Sequence, residues 1–190
     1  MDYINGKTLD EHTTSEALLP AEEIFRIIER VELALDYVHC QGVVHRDIKP
    51  SNIIYGDSPF TVKIADFGVA KISDNSQTKV GSIIGSPFYM SPEQIRGDQA
   101  TGSSDIFSLG VTLYQLLCGE LPFKVDNLAS LTYEIINSEP KDVTEINLDL
   151  PLLARDITRK ALQKDPNDRY QSAKSMVDDL GSAIRQLEIY

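Results

Sequence analysis

A chain of 190 residues is long enough for one well-packed domain and gives little reason to expect two. With 42% hydrophobic and 25% charged residues it has the composition of a soluble globular protein. Its formal net charge of −11 argues against nucleic acid as the main partner and against docking on an anionic membrane surface, while leaving room for a local basic pocket for phosphates. Residues 1–9 read as a short extended piece turning at Asn5-Gly6. Pro20-Ala21-Glu22-Glu23 then has the marks of a helix start, with proline in the first turn and acids at the positive end of the dipole. Ile24, Ile28, Val31, Leu35 and Val38 continue it as a buried amphipathic stripe, stopped by Gly42. His39, at its end, reads as structural rather than catalytic.

Two short β-branched runs, Ile53-Ile54-Tyr55 and Thr61-Val62-Lys63-Ile64, flank the turn residues Gly56-Asp57-Ser58-Pro59 and predict a hairpin. Such a hairpin has Asn52 at one end and Asp66 at the other, and brings both toward one place. Residues 70–90 are polar, rich in Ser, Thr and Gly, and too long for a plain connector. Residues 103–117 predict a buried central helix, apolar nearly all round and ended by Gly119. Three further helices are predicted over 126–137, 152–162 and 171–186, with no internal repeat. Cys40 and Cys118 lack C-x-x-C spacing, so reduced, buried thiols in a cytosolic compartment are expected. No run of about 18 apolar residues is present to span a membrane. The opening Met1-Asp2-Tyr3-Ile4 is acidic, unlike a signal peptide. A cytoplasmic protein is expected, with any anchor outside this chain.

The chemistry concentrates in His45-Arg46-Asp47-Ile48-Lys49-Pro50-Ser51-Asn52. A carboxylate, an ammonium two residues on and an amide three beyond can position a hydroxyl, neutralise a phosphate and hold a divalent metal. The order matches H-R-D-x-K-x-x-N, and Asp66-Phe67-Gly68 follows at the spacing of the same family's second metal-binding signature. Together these motifs resemble the protein kinase family, and most closely the C-terminal lobe of the eukaryotic-like Ser/Thr kinases of bacteria. The resemblance implies a mainly α fold, a helical bundle with one or two short β-hairpins, forming part of a two-lobed α+β protein. Residues 1–9 would be the hinge between lobes and 10–190 the lobe, with the catalytic loop at 45–52 and the activation segment at 66–93.

The same resemblance implies the roles. Asp47 orients the substrate hydroxyl and takes its proton, and Lys49 donates to the γ-phosphate of ATP. Asn52 and Asp66 ligate Mg²⁺, for which hard oxygens are the suitable type. Met1 takes the gatekeeper place, the carbonyl of Asp2 and the amide of Ile4 bond adenine, and Ile54 lies beneath it. Lys49 also marks a Ser/Thr rather than a tyrosine kinase. Arg46 pairs with a phosphorylated residue of the activation segment. Ser73, Ser76, Thr78 and Ser82 are the candidates, with Thr78 and Ser82 better placed. Ser86, in Gly85-Ser86-Pro87-Phe88-Tyr89-Met90-Ser91-Pro92-Glu93, replaces the usual threonine and keeps its hydroxyl. Glu93 pairs with Arg169 of Asp168-Arg169-Tyr170, and Asp105 bonds the backbone of the catalytic loop. These last three support the site without touching substrate.

A Gly-rich loop over the phosphates, a strand lysine and a helix glutamate normally precede the hinge in this family. No G-x-G-x-x-G occurs in the chain, and Lys7 is on the wrong side of the hinge to be that strand lysine. The resemblance thus covers about two-thirds of a kinase domain. The expectation is that these residues alone are catalytically silent or nearly so. The alternative is a non-catalytic lobe serving as a docking or regulatory module. A small-molecule phosphotransferase is disfavoured by the peptide-positioning segment from Gly85 to Glu93. The face that an upper lobe covers is expected to invite self-association.

Overall fold

The computed structural model describes residues 6–56, 61–67, 87–125 and 127–188. Helix α1 (Ala21–Cys40) follows Pro20 and carries Glu22 and Glu23 in its first turn. Its inward face is Ile24, Phe25, Ile27, Ile28, Val31 and Leu35. The helix stops as the sequence predicts: Gly42 takes φ +73°, and the Gly42 and Val43 amides bond back to the carbonyls of His39 and Val38 at 2.9 and 3.0 Å. That is the Schellman pattern, which a left-handed glycine closes without a Cβ penalty.

Three strands form one antiparallel sheet in the order β1 (Lys7–Thr8), β2 (Ile53–Tyr55) and β3 (Val62–Ile64). The predicted hairpin is the β2–β3 pair, with Ile53 opposite Ile64 and Tyr55 opposite Val62. Its far side is closed by β1, which pairs Thr8 with Ile54.

The short helix α2 (Pro92–Arg96) precedes the central helix α3 (Gly102–Cys118), and then come α4 (Leu128–Asn137), α5 (Val143–Ile146), α6 (Leu152–Ala161) and α7 (Ala173–Leu187). Helix α3 is buried almost all round, α1 packs on α7 and α3, and α6 packs on α3 and α7. Gly110 lets α3 and α6 approach closely, since a Cβ there would stand 2.8 Å from that of Ala161. The result is mainly helical.

Helix starts differ from the sequence reading by a residue or two because caps decide them. Asn127 and Ser172 accept from the amides of Ser130 and Ser175, so α4 and α7 begin one residue beyond each cap. The five-residue α2 and four-residue α5 are too short to show a hydrophobic period. One expectation is corrected outright. Cys118 is buried, but Cys40 is exposed, because the last turn of α1 faces it away from the helix's inward stripe. No helix among the described residues is long and apolar enough to cross a membrane.

Candidate active site

The segment leaving α1 enters the His45–Asn52 loop, and α3 holds it from behind. Fully buried Asp105 accepts from the His45 amide at 2.8 Å through Oδ2 and from the Arg46 amide at 2.7 Å through Oδ1. Its Oδ2 also lies 2.8 Å from His39 Nε2, at the end of α1. Gln94 of α2 donates to the Arg46 carbonyl at 3.1 Å. Arg46 is thus pinned on both sides of its residue, which sustains a left-handed φ of +70° that a non-glycine residue rarely adopts.

Asp47 projects beyond that anchor. Its Oδ2 accepts from Lys49 Nζ at 2.8 Å and from Asn52 Nδ2 at 3.2 Å, and its carbonyl accepts from the same Nδ2 at 2.8 Å. The Asn52 amide nitrogen is therefore committed to Asp47. That orients Asn52, which is almost wholly buried, and leaves its Oδ1 without a donor among the described residues. The Ala65 amide donates to the Asn52 carbonyl at 2.8 Å, which seats exposed Asp66 beside this loop, again at a positive φ of 55°.

His45 ties the same two strands of chain together. Its Nδ1 accepts from the Asp47 amide at 3.3 Å, which leaves Nε2 to donate to the Ala65 carbonyl at 3.0 Å. The ring of Phe67 lies 4.6 Å from the imidazole, centroid to centroid. Asn52 and Asp66 thus lie at the two ends of one backbone hydrogen bond's reach, and among the described residues no hydrogen bond engages Asn52 Oδ1 or the Asp66 carboxylate. That donor set suits a magnesium-type ion, which keeps water and phosphate oxygens for its other positions. Among the described residues, no cluster of three or more His, Cys, Asp or Glu side chains offers a rival metal centre.

The outer support is a buried ion pair. Arg169 NH1 and NH2 donate to the two Glu93 oxygens, each at 2.8 Å. Its remaining hydrogens go to the carbonyls of Ser103, Gln163 and Lys164 at 2.8, 2.7 and 3.1 Å, so all five guanidinium donors are used. Ser104 Oγ adds a third bond to Glu93 at 2.7 Å. Burial pushes the Glu93 carboxyl up, but the Arg169 and Ser104 hydrogen bonds outweigh it and bring it down to about 2.

Two features escaped the sequence reading. Gln94 and Ser91 form a capping box on α2, with each side chain bonded to the other's amide, and Gln94 reaches the Arg46 carbonyl as well. The S-x-x-Q pattern of Ser91 to Gln94 was a usable signal. Nothing in the sequence announces that Glu32 of α1, only 2% exposed, lies buried. Ile54 sits half-buried on the central strand, where Gly6 passes so close that a Cβ there would meet it at 2.9 Å. Asp2, Ile4, Thr78, Ser82 and Ser86, with Met1, Ser73 and Ser76, lie outside the described residues. A cavity of about 490 Å³ is lined by Phe88, Leu121, Phe123, Lys124 and Val125 with two residues of the α4 start, and none of these belongs to the Asp47 loop.

A helical lobe that presents a carboxylate, a lysine and an amide from one loop, with an Asp-Phe step beside it, has the architecture of a protein kinase's C-terminal half. The chain belongs to that family: the protein kinase domain model matches residues 1–180. It is 38% identical over 185 residues to the serine/threonine-protein kinase PrkC of Bacillus subtilis, covering 97% of this chain and 28% of that protein. A probable serine/threonine-protein kinase PknB of Lactococcus lactis is 34% identical over 184 residues, with 96% and 29% covered. The chain thus spans under a third of the length of these relatives. The crystal structure of the Mycobacterium tuberculosis PknI kinase domain superposes with a TM-score of 0.71 at 26% identity, covering 96% of this chain and 64% of that one.

Proposed function

We propose that this chain is the catalytic lobe of a Ser/Thr protein kinase, which transfers the γ-phosphoryl group of ATP to a protein hydroxyl. The observation that supports it best is the Asp47 carboxylate joined to both Lys49 and Asn52 within one loop that Asp105 holds rigid. Residues 1–9 are the hinge and 10–190 the lobe in this reading. Asp47 orients the attacking Ser or Thr hydroxyl and accepts its proton late, as the new oxygen–phosphorus bond forms and the bond to the departing ADP oxygen breaks. Lys49, already beside Asp47, neutralises charge on the moving phosphoryl group. Asn52 and Asp66 hold Mg²⁺, which when bound shields the phosphate charge. Asp2 and Ile4 bond adenine, and Ile54 lies under it.

Arg46 Nε is buried with no hydrogen-bond partner among the described residues, which supports its pairing with a phosphorylated Thr78 or Ser82. Ser86 steadies Asp47 and Lys49, while Glu93, Arg169 and Asp105 are supports.

These 190 residues contain no G-x-G-x-x-G, so by themselves they bind ATP weakly and turn over little. The test has two arms. Calorimetric titration of Mg-ATP into this chain is expected to show at most weak binding. Joined behind the upper lobe of Bacillus subtilis PrkC, the chain is expected to phosphorylate a generic basic protein, and Asp47→Asn is expected to cut that transfer by at least about 100-fold. Transfer that survives Asp47→Asn overturns the catalytic assignment. A fused protein with no transfer at all favours the non-catalytic docking lobe.

A further inference from the structure

Five residues are too few for α2 to hold itself together, so its seat comes from its neighbours. Glu93 is locked in the bidentate bridge to Arg169. Gly97 caps the far end at φ +82°, where its amide donates to the Gln94 carbonyl at 3.2 Å and the Asp98 amide to that of Glu93 at 2.9 Å. The capping box holds the near end. Gln94 Oε1 accepts from the Ser91 amide at 3.0 Å and from Ser91 Oγ at 3.1 Å. These two donors fix which way the side-chain amide faces, so Nε2 is the end that reaches out of α2 to the Arg46 carbonyl, at 3.1 Å.

That carbonyl belongs to the peptide unit that leads into Asp47. The other end of the same planar unit, the Asp47 amide, donates to His45 Nδ1 at 3.3 Å. His45 is itself fully buried and tied through Nε2 to the Ala65 carbonyl. The Arg46–Asp47 peptide is therefore held at both ends, by α2 on one side and by His45 on the other. Asp105 takes only the two amides upstream, so it leaves the rotation of this unit to Gln94 and His45.

We propose that Gln94 is a positioning residue, which clamps the Arg46–Asp47 peptide and so aims the Asp47 carboxylate from the fixed seat of α2. The Glu93–Arg169 bridge and the Asp47 loop are thereby one mechanical unit, joined through neighbouring residues of α2. With the clamp gone, the peptide turns more freely about Arg46 ψ and Asp47 φ, beside a residue already strained at φ +70°. The consequence for phosphoryl transfer rests on reading His45–Asn52 as a catalytic loop, but the clamp itself does not.

Gln94→Glu separates this role from helix capping. S-x-x-E is equally a capping box, and an acid in the first turn suits the dipole, so α2 keeps its start. The carboxylate has no donor to offer and sets an oxygen against the Arg46 carbonyl instead. In the fusion to the upper lobe of Bacillus subtilis PrkC, Gln94→Glu is expected to lower kcat by about tenfold or more, with the KM for Mg-ATP and for the protein substrate within about twofold of the unaltered fusion. Ser91→Ala, which weakens the cap and leaves the Gln94 donor in place, is expected to lower the melting temperature by about 4 °C and to change kcat less than about threefold. A Gln94→Glu fusion with unaltered kcat, or a Ser91→Ala fusion that loses as much, would overturn the proposal.

Amide hydrogen exchange in the 190-residue chain reads the clamp without any catalysis. Protection of the Asp47 amide is expected to fall at least about threefold in Gln94→Glu, the worth of one hydrogen bond, while that of Ile95 inside α2 stays level. Equal Asp47 protection in both chains sinks the proposal. Should Gln94→Glu not fold, Gln94→Met, which drops the donor without adding charge, is read in the same way. A fusion that transfers no phosphate at all counts against the kinase reading and leaves the exchange result standing, so the two readings fail separately.

Discussion

Two carboxylates of this lobe are buried to nearly the same degree and behave in opposite ways. Glu93 is 7% exposed and Glu32 is 2% exposed. Glu93 meets a bidentate guanidinium and a serine hydroxyl, and its carboxyl falls to about 2. Glu32 Oε2 meets no donor among the described residues, and burial raises its carboxyl to about 7. Burial pushes both the same way, so the partner alone sets the sign. The pair also separates two kinds of support. The Glu93–Arg169 bridge ties α2 to the start of α3 and the segment before α7 as a fixed fastening. Glu32 lies buried in α1 without such a fastening, as a carboxyl that burial raises to about 7.

The harshest way to break this contrast is to turn Glu93 into a second Glu32. Arg169→Leu removes all five hydrogen bonds of the guanidinium and strands a buried carboxylate. We expect a loss of about 3–5 kcal/mol in urea unfolding at neutral pH, and a chain that gains stability on mild acidification as Glu93 takes a proton. A smaller, pH-shaped effect follows for the intact bridge. The folded carboxyl of Glu93 lies below its unfolded value, so its contribution is present above about 4.5 and is lost as pH falls toward about 2. That contribution is roughly 2–3 kcal/mol, and Glu93→Gln should erase this acid-side slope while leaving the rest of the curve.

The opposite change sharpens the contrast. Glu32→Leu should stabilise the chain at pH 8 by about 1–3 kcal/mol, with the gain shrinking toward pH 4.5. A variant no more stable than wild type at pH 8 would mean that Glu32 has a partner after all. The mildest test is Ser104→Ala, which removes one of Glu93's three hydrogen bonds and the acceptor of the Thr101 amide. It should cost about 1–2 kcal/mol by thermal unfolding and raise the Glu93 midpoint without freeing it from Arg169.

Much of this lobe is legible in the linear chain, because short-range chemistry writes itself there. The stripe of Ile24, Ile28, Val31 and Leu35 specifies α1, and Gly42 ends it because only a residue at ease with positive φ closes that turn. The unbroken apolar run through Leu117 specifies a central helix. Asp47, Lys49 and Asn52 lie within six residues of one another, so one turn of chain brings them together, and the β2–β3 hairpin delivers Asp66. The pairings across the lobe are of another kind. Glu93 and Arg169 stand 76 residues apart, and their pairing was readable only through resemblance to a family. The link from His39 through Asp105 to the His45 and Arg46 amides could not be read from spacing, because helix packing creates it.

What the sequence by itself determined is the set of elements and the chemistry of one loop, since both depend on residues close enough along the chain to fix each other's geometry. Only the tertiary structure decided which ionisable groups left the solvent and in whose company. A glutamate on a helix reads the same whether it will face water, an arginine or nothing. Glu32 and Glu93 differ by what α3, α7 and the Arg169 segment bring to them, and that meeting is made by packing.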